Sequence, residues 1–361
     1  MPAQITDDLR SIIESRKPAR VDVLMEAVSG EGQQARTVLN EIGVTFNEAT
    51  VGQKTVFEAT VDAGLVDRLA EIDSLVRIDH SPTFQSTSVP VPQPGDGGYG
   101  EATDINATSL QEVINRMQVP EAWEAIGTKG EGVTVGIVDT PIDPSHPSYS
   151  SNIKGTAGKT AAEDHGTWVT SAIAADEYET PRGVIQGVAP EADIYAYGAL
   201  GGGRATITSI AEGVDYCIQK ECDIVNLSLG GPHSDVLQSI VEEARSEGVL
   251  PVSSAGNSGP GRATVSCPAH HSAALSVGSE TTRGEAAAFS SRGPGFRGAG
   301  QKPDVMAFGG GARLGNPGLQ ITETVLGAAP NGGSKFLVGT SMAAPQVSGI
   351  AALRVASQRE V

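Results

Sequence analysis

The chain is short of positive charge, of cysteine and of long apolar runs. Its 361 residues carry 25 lysines and arginines against 43 acidic residues, a formal net charge of −18. Such a balance argues against nucleic-acid and anionic-membrane partners and predicts a solvated acidic surface. No stretch approaches the roughly eighteen apolar residues that mark a membrane span. The first twenty residues contain Asp7, Asp8, Arg10, Glu14, Arg16, Lys17 and Arg20 and no apolar core, so they do not read as a secretory signal. The three cysteines, Cys217, Cys222 and Cys267, are odd in number and have no CxxC spacing. At least one has no intrachain partner, no metal site is suggested, and buried free thiols are expected. A cytoplasmic setting is expected, or a secreted one if the N-terminus has been trimmed.

Glycine, by contrast, is abundant. The 45 glycines among 361 residues exceed the roughly 7 per cent average and suit a loop-rich α/β enzyme. Three islands carry chemistry. Val133-Thr134-Val135-Gly136-Ile137-Val138-Asp139 is an apolar, β-rich run ending in an aspartate, at the strand edge where open α/β sheets place ligands. Asp164-His165-Gly166-Thr167 opens a helix-like stretch with a histidine, the side chain best suited to general-base work near neutral pH. Gly339-Thr340-Ser341-Met342-Ala343-Ala344-Pro345 sets a serine at the start of a helix of small apolar residues. Free backbone N–H groups there favour an oxyanion beside the nucleophile. Taken singly, these residues read as a strand-end turn, a capping histidine and a serine N-cap. Taken together, they supply an acid, a base and a nucleophile.

The set resembles the subtilisin family of serine proteases, whose chain order is Asp, His, Ser. Ser254-Ala255-Gly256-Asn257, Asn226-Leu227-Ser228-Leu229-Gly230-Gly231 and Phe289-Ser290-Ser291-Arg292-Gly293 extend the match, which runs collinearly from about Val119 to about Leu353. The resemblance implies a parallel sheet flanked by helices. It casts Ser341 as nucleophile, His165 as base, Asp139 as its orienting partner and Asn257 as oxyanion donor. It also implies substrate-binding edges at Gly201, Gly202 and Gly203 and at Ser228, Leu229 and Gly230. Ser254, Ala255, Gly256 and Ser266, with Leu229 and Gly230, would line the pocket for the residue before the cleaved bond. No carboxylate lies among them, so an apolar residue of medium or large size is expected there.

Some positions depart from the family pattern. Pro141 follows Asp139-Thr140 where glycine is usual, and Trp168 and Ser171 make the histidine helix bulkier, so its packing must adjust. The family's calcium loop is not matched: Ser148 stands where a carboxylate is common, with Pro181-Arg182 in the companion loop. No cofactor or metal is therefore expected, with calcium left open. The chain stops at Val361, soon after the nucleophile helix, which suggests a C-terminally truncated or minimal peptidase domain.

Residues 1–84 form a different object. Strand-like Val21 to Met25, Val44 to Phe46, Lys54 to Val61 and Leu75 to Ile78, with helix-like Glu31 to Ile42 and Ala63 to Ile72, give the order β-α-β-β-α-β of a small α+β ferredoxin-like domain. Subtilase propeptides resemble this. Residues 85–110 are rich in Pro, Gly, Ser and Asp and read as a linker with a processing site, leaving 111–361 as the peptidase domain. The expectation is a serine endopeptidase made as a zymogen, acting on polypeptides and inhibited by its own N-terminal domain. The same acyl-enzyme would serve a peptide ligase or cyclase, and an inactive site would leave a pseudo-protease binding module. All four catalytic positions are filled, which favours the enzyme.

Overall fold

Apolar runs with no alternation must be buried on both faces, and that requirement organises the larger part of the chain. A computed structural model describes residues 2–89, 91, 105–315 and 318–359. Among them, seven parallel strands lie in the order Val305–Phe308, Leu275–Glu280, Leu250–Ser254, Ile224–Leu227, Thr134–Asp139, Asp193–Gly198, Ile153–Gly158. Successive side chains face opposite ways. Val133, Val135 and Ile137 pack with Trp168, Val169 and Ile173 of the Asp164–Ala174 helix and with Met342, Ala343 and Leu353 of the Thr340–Arg359 helix. Val138, Val225 and Leu227 face the other layer, Ile207 and Ile210 of Ile207–Gln219 and Leu237 and Ile240 of Asp235–Ser246. The sheet is an α/β sandwich of the expected class. No helix among the described residues is long and apolar enough to cross a membrane.

The bulk of Trp168 and Ser171 is taken up on the far side of their helix. Trp168 Nε1 donates to the Val325 carbonyl at 3.3 Å, and Ser171 Oγ accepts from Ala328 N at 3.0 Å. Between those two anchors Gly327 leaves room for the indole: a Cβ there would lie 2.4 Å from Trp168 Nε1.

The N-terminal residues form a five-stranded sheet in the order Gln4–Ile5, Leu75–His80, Arg20–Ala27, Lys54–Asp62, Asn47–Val51. It differs from the expected pattern in three places. A first strand and the helix Asp7–Arg16 precede the rest; only Leu9 of that helix is fully buried, so its periodicity is faint in the sequence. Val44 to Phe46 is not a strand, because Val44 N bonds back to the Leu39 carbonyl in the turn that ends Gly32–Glu41. The second helix shrinks to a 3-10 turn, Ala63–Leu65, and one α turn, Val66–Leu69, closed by bonds from Glu71 N to Arg68 O and Ile72 N to Leu69 O.

Strand alternation gives this sheet two buried faces. Val23, Met25 and Phe57 lie under its own helices, while Leu24, Ala49, Val51 and Val56 share one apolar cluster with Ile207, Ile210, Val236 and Leu237 of the larger unit. Polar bonds rim the contact: Thr208 Oγ1 donates to Glu58 Oε2 at 2.5 Å, and Arg77 donates to the Asp235 carbonyl at 3.1 Å. The expected linker divides as well. Phe84–Ser86 is a strand, and Asn106–Ser109 pairs in parallel with Glu323 to Leu326, so both ends belong to folded structure. The remainder of that segment, residue 90 and residues 92–104, lies outside the described residues.

Gly327→Ala forces a Cβ into the Trp168 ring and should lower the free energy of unfolding by about 1–3 kcal/mol, the usual cost of overpacking. Urea unfolding of the chain in a Ser341→Ala background measures this, and an unchanged midpoint would contradict the packing described.

Candidate active site

The C-terminal ends of the parallel strands converge on one edge, and the three islands of the sequence meet there. Asp139 ends its strand fully buried, and its Oδ1 lies 2.6 Å from His165 Nδ1. The same oxygen accepts from Thr140 N at 2.6 Å. Thr140 Oγ1 in turn accepts from Gly166 N at 2.8 Å, so one residue ties the aspartate loop to the helix that carries the histidine. That docking needs a glycine: a Cβ on Gly166 would stand 2.1 Å from the Thr140 carbonyl oxygen.

Ser341 occupies the first turn of the Thr340–Arg359 helix. Pro345, inside the same helix, has no N–H to give to the Ser341 carbonyl four residues back. Ser228 Oγ supplies the missing donor at 3.1 Å. Ser228 Oγ accepts from Asn226 Nδ2 at 2.9 Å, and Ser348 Oγ donates to Asn226 Oδ1 at 2.9 Å, pinning helix to sheet. The orientation of the Asn257 amide follows from its neighbours. Its Oδ1 accepts from Thr340 N and Thr340 Oγ1, both at 3.0 Å, which turns Nδ2 toward the cleft.

The cleft is filled by the chain's own N-terminal segment. Phe84–Ser86 lies as the middle strand of an antiparallel three, between Arg204–Ala205 and Leu229–Gly230. Ser86 N donates to Gly203 O at 3.1 Å and Thr87 N to Ser228 O at 3.4 Å. The Thr87 carbonyl oxygen accepts from Asn257 Nδ2 at 2.7 Å and from Ser341 N at 3.2 Å. Gly339 makes this approach feasible: at φ +145° it has no Cβ, and one would lie 2.4 Å from that carbonyl oxygen. Beyond Thr87 the segment continues across the site, with Val89 N donating to Val338 O at 2.7 Å.

Ser341 Oγ donates to the Ser228 carbonyl at 2.9 Å and shares a hydrogen bond with Thr87 Oγ1 at 2.6 Å. His165 Nε2 has no hydrogen-bond partner among the described residues. The serine is therefore bonded to the strand in the cleft, while the imidazole is bonded only through its aspartate side.

The substrate-binding residues inferred from the sequence gather here, with one shift. Gly201 and Gly202 belong to a turn, closed by paired bonds between Gly201 and Arg204 and by Gly202 N to Glu163 Oε1. The pairing edge is Gly203 O with Arg204 and Ala205, because the positive φ of Gly202 and Gly203 reverses the chain before it can extend. On the opposite side Leu229 and Gly230 pair with Ser86 and Gln85, and the Ser228 carbonyl accepts from Thr87 N. Thr87 enters the pocket, its Oγ1 2.6 Å from Ser254 Oγ. Ser266 sits between Gly230 and Gly256, either of which would clash with Ser266 Oγ if it carried a Cβ, and Ala255 carbonyl oxygen accepts from Ser266 Oγ at 3.1 Å. The residue of the chain's own segment there is Thr87, a small hydroxylated residue set against serine side chains. Thr87, Ser88, Arg204, Ala205 and Val338 were not singled out from the sequence. The only signal was the short β-prone run Thr83-Phe84-Gln85-Ser86-Thr87 before the first proline of the Pro-rich stretch.

A parallel α/β sandwich with an aspartate, a histidine and a helix-borne serine at one strand edge has the architecture of the subtilisin type. The sequence comparisons agree. Residues 130–359 match the Subtilase family, Peptidase_S8, and the chain belongs to that family. It is 36% identical over 270 residues to the major intracellular serine protease of Bacillus subtilis (strain 168), covering 69% of this chain and 76% of that protein. It is 38% identical over 256 residues to Subtilisin BL of Lederbergia lenta, covering 68% of this chain and 84% of that protein. M-protease of Shouchella clausii (strain KSM-K16) is 37% identical over 256 residues, 68% of this chain and 60% of that protein. The protein is a subtilisin-like serine endopeptidase.

Gly166→Ala should push the histidine helix off Thr140 and lower kcat/KM for a peptide substrate at least about a hundredfold, the scale of an ångström's misplacement. Near-UV circular dichroism verifies that the fold persists. Wild-type turnover in a folded Gly166→Ala protein would show that the contact does not set the histidine's position.

Proposed function

We propose that this chain is the uncleaved precursor of a serine endopeptidase. Asp139, His165 and Ser341 act as the triad, Asn257 and the Ser341 N–H stabilise the oxyanion, residues 1–84 are the intramolecular inhibitor, and Thr87–Ser88 is the first bond cut. One observation carries the reading: a carbonyl of the chain itself sits between the two donors suited to an oxyanion. The strand pairing of residues 84–86 and the bond from Val89 to Val338 support it, since they hold the peptide on both sides of Thr87–Ser88 as a substrate would be held.

The chemistry follows from those positions. Ser341 Oγ leaves the Ser228 carbonyl, gives its proton to His165 Nε2 and attacks the Thr87 carbonyl carbon. The oxygen gains negative charge already within reach of Asn257 Nδ2 and Ser341 N. Asp139 holds the imidazole by Nδ1 and stabilises its charged form. His165 then protonates the Ser88 nitrogen, the C–N bond breaks, and Thr87 is left as an ester on Ser341. Water, activated by His165, hydrolyses the ester and regenerates the serine. Polypeptide substrates would follow the same path once residues 84–87 leave the cleft. Until then the Thr87 hydroxyl holds the nucleophile away from His165, which makes the resident peptide a slow substrate and an effective inhibitor.

Two further elements belong to this proposal. Calcium is not required at the loop after Pro147: Ser148 Oγ is engaged by His146 Nδ1 at 2.9 Å, and Asp143 accepts from Ser145 and from Asn331 N. An intracellular setting is supported by three buried, unpaired thiols and by the relative whose name places it inside the cell.

Ser341→Ala should remain full length and lose peptide hydrolysis by about a millionfold in kcat, as known for subtilisin. Asn257→Ala should cost about a hundred- to a thousandfold, again the subtilisin magnitude. The active chain should yield a fragment beginning at Ser88, read by N-terminal sequencing and intact mass. A Ser341→Ala chain that still hydrolyses peptides would sink the triad. A mature fragment beginning elsewhere would sink the Thr87–Ser88 assignment alone. Thr87→Val keeps the shape and removes one of the two hydrogen bonds on Ser341 Oγ, leaving that to the Ser228 carbonyl, and should process faster than wild type; slower processing would reject the hydroxyl as a restraint.

A further inference from the structure

A cluster of three histidines lies in the wall of the cleft and takes no part in the chemistry above. His233 follows the Leu229–Gly230 edge, and His270 and His271 follow Ser266. His270 and His271 are buried and His233 is partly so. One ring nitrogen from each lies within 4.8 Å of the other two. Phe296 covers the group, its ring 3.8 Å from that of His233 and 5.1 Å from that of His270.

The hydrogen bonds around the cluster set the tautomers. His233 Nε2 is 3.1 Å from Asp235 Oδ1, an oxygen that only accepts, so Nε2 carries the hydrogen. His270 Nδ1 is 3.2 Å from the Val265 carbonyl and by the same argument carries its hydrogen. The remaining nitrogens, His233 Nδ1 and His270 Nε2, then both present lone pairs, and they face each other at 3.2 Å. Two lone pairs at that distance repel unless a cation lies between them. A metal ion asks for this arrangement. Ligating histidines commonly give their other N–H to a carboxylate or backbone carbonyl. Two nitrogens bound to one tetrahedral ion at about 2.0–2.1 Å stand about 3.3 Å apart.

We propose that His233, His270 and His271 form a binding site for a borderline-soft divalent transition-metal ion, with zinc as the representative case. Neutral imidazoles suit zinc, copper and nickel, and exclude calcium and magnesium by donor type. His233 Nδ1 and His270 Nε2 are the first two ligands, and His271, with a ring nitrogen within 4.8 Å of the ligand atoms of both, is the third. Cys267 Sγ lies 3.3 Å from His271 Nε2. A fourth position opens toward the cavity of about 600 Å³ lined by Thr87, Gly256, Ser266, His233, His270 and Phe296. An ion there would tie the two segments that wall the substrate cavity to each other.

Calorimetric titration of zinc chloride into the full chain carrying Ser341→Ala, stripped of metal, tests this. One tight site is expected, accompanied by a rise in melting temperature. His233→Ala and His270→Ala should each weaken binding by more than a hundredfold, and Asp235→Asn by about 10- to 100-fold, the usual cost of losing an outer partner. His80→Ala and His165→Ala should bind as the parent does. Cobalt in place of zinc should give visible absorption that is lost with His233→Ala. If His270→Ala fails to fold, His233→Ala and Asp235→Asn still decide the matter. Absence of a tight site, equal binding by all variants, or loss confined to His165→Ala would overturn the proposal.

Discussion

A parallel sheet buried on both faces cannot carry chemistry along its length, because every side chain there is committed to packing. Its ligands must gather where the strands end. In this chain Asp139, the Ser228 carbonyl, Ser254 and Asn257 all lie at or just beyond the C-terminal ends of neighbouring strands. The Asp164–Ala174 and Thr340–Arg359 helices share one side of the sheet and pack on each other's flank through Trp168, Ile173, Met342 and Ala343. Their first turns therefore open onto the same edge, one presenting a histidine and the other a serine. The site is a consequence of two-sided burial, and its precision comes from a few polar bonds that fasten helix starts to loops: Thr140 to Gly166, Asn257 to Thr340, and Ser228 to the carbonyl that Pro345 leaves free.

The same logic explains how the N-terminal domain reaches the site. Leu24, Ala49, Val51 and Val56 cover Ile207, Ile210, Val236 and Leu237, apolar residues on the sheet's outer helices. Removing such surface from water is worth roughly 25 cal/mol per Å². That docking fixes the end of the Leu75–His80 strand near the cleft, and only a few residues separate it from Phe84. The strand then enters with little further entropy to lose. Under the proposed reading, domain docking supplies the affinity and residues 84–89 supply the register.

How much of this was legible beforehand depended on whether a feature was local. Asp139, His165, Ser341 and Asn257 lie in short motifs that read singly as turns and caps, and it was their collinear combination, matching a known family pattern, that marked them as a candidate site. The central strands were legible because two-sided burial leaves an uninterrupted apolar run. Features made by pairing distant segments were not. That Gly203 to Ala205, rather than Gly201 to Gly203, forms the edge depends on positive φ at two glycines and on a partner more than a hundred residues earlier. The role of Thr87 rests on contacts with Ser254, Asn257 and Ser341, none of which its neighbours foretell. The Asp7–Arg16 helix escaped notice for the opposite reason: it buries one leucine and is held by a cap, so it has almost no apolar period to read.

The histidine cluster shows a third case, in which composition hides a site. Six histidines in 361 residues invite no metal reading, and His233 lies more than thirty positions from His270. Only the fold brings them together, and only the outer hydrogen bonds turn two ordinary imidazoles into a pair of facing lone pairs. A carboxylate and a backbone carbonyl each orient a ring, and their combined effect is a gap between two lone pairs that no hydrogen bond between neutral rings fills. The partners behind the rings therefore matter more to the site than the rings themselves. Asp235 serves that purpose at the start of a helix whose other residues, Val236 and Leu237, also receive the N-terminal domain. Arg77 of that domain donates to the Asp235 carbonyl. Departure of the domain would remove a restraint on the residue that orients His233, so occupancy of the cluster and docking of residues 1–84 would share one structural element.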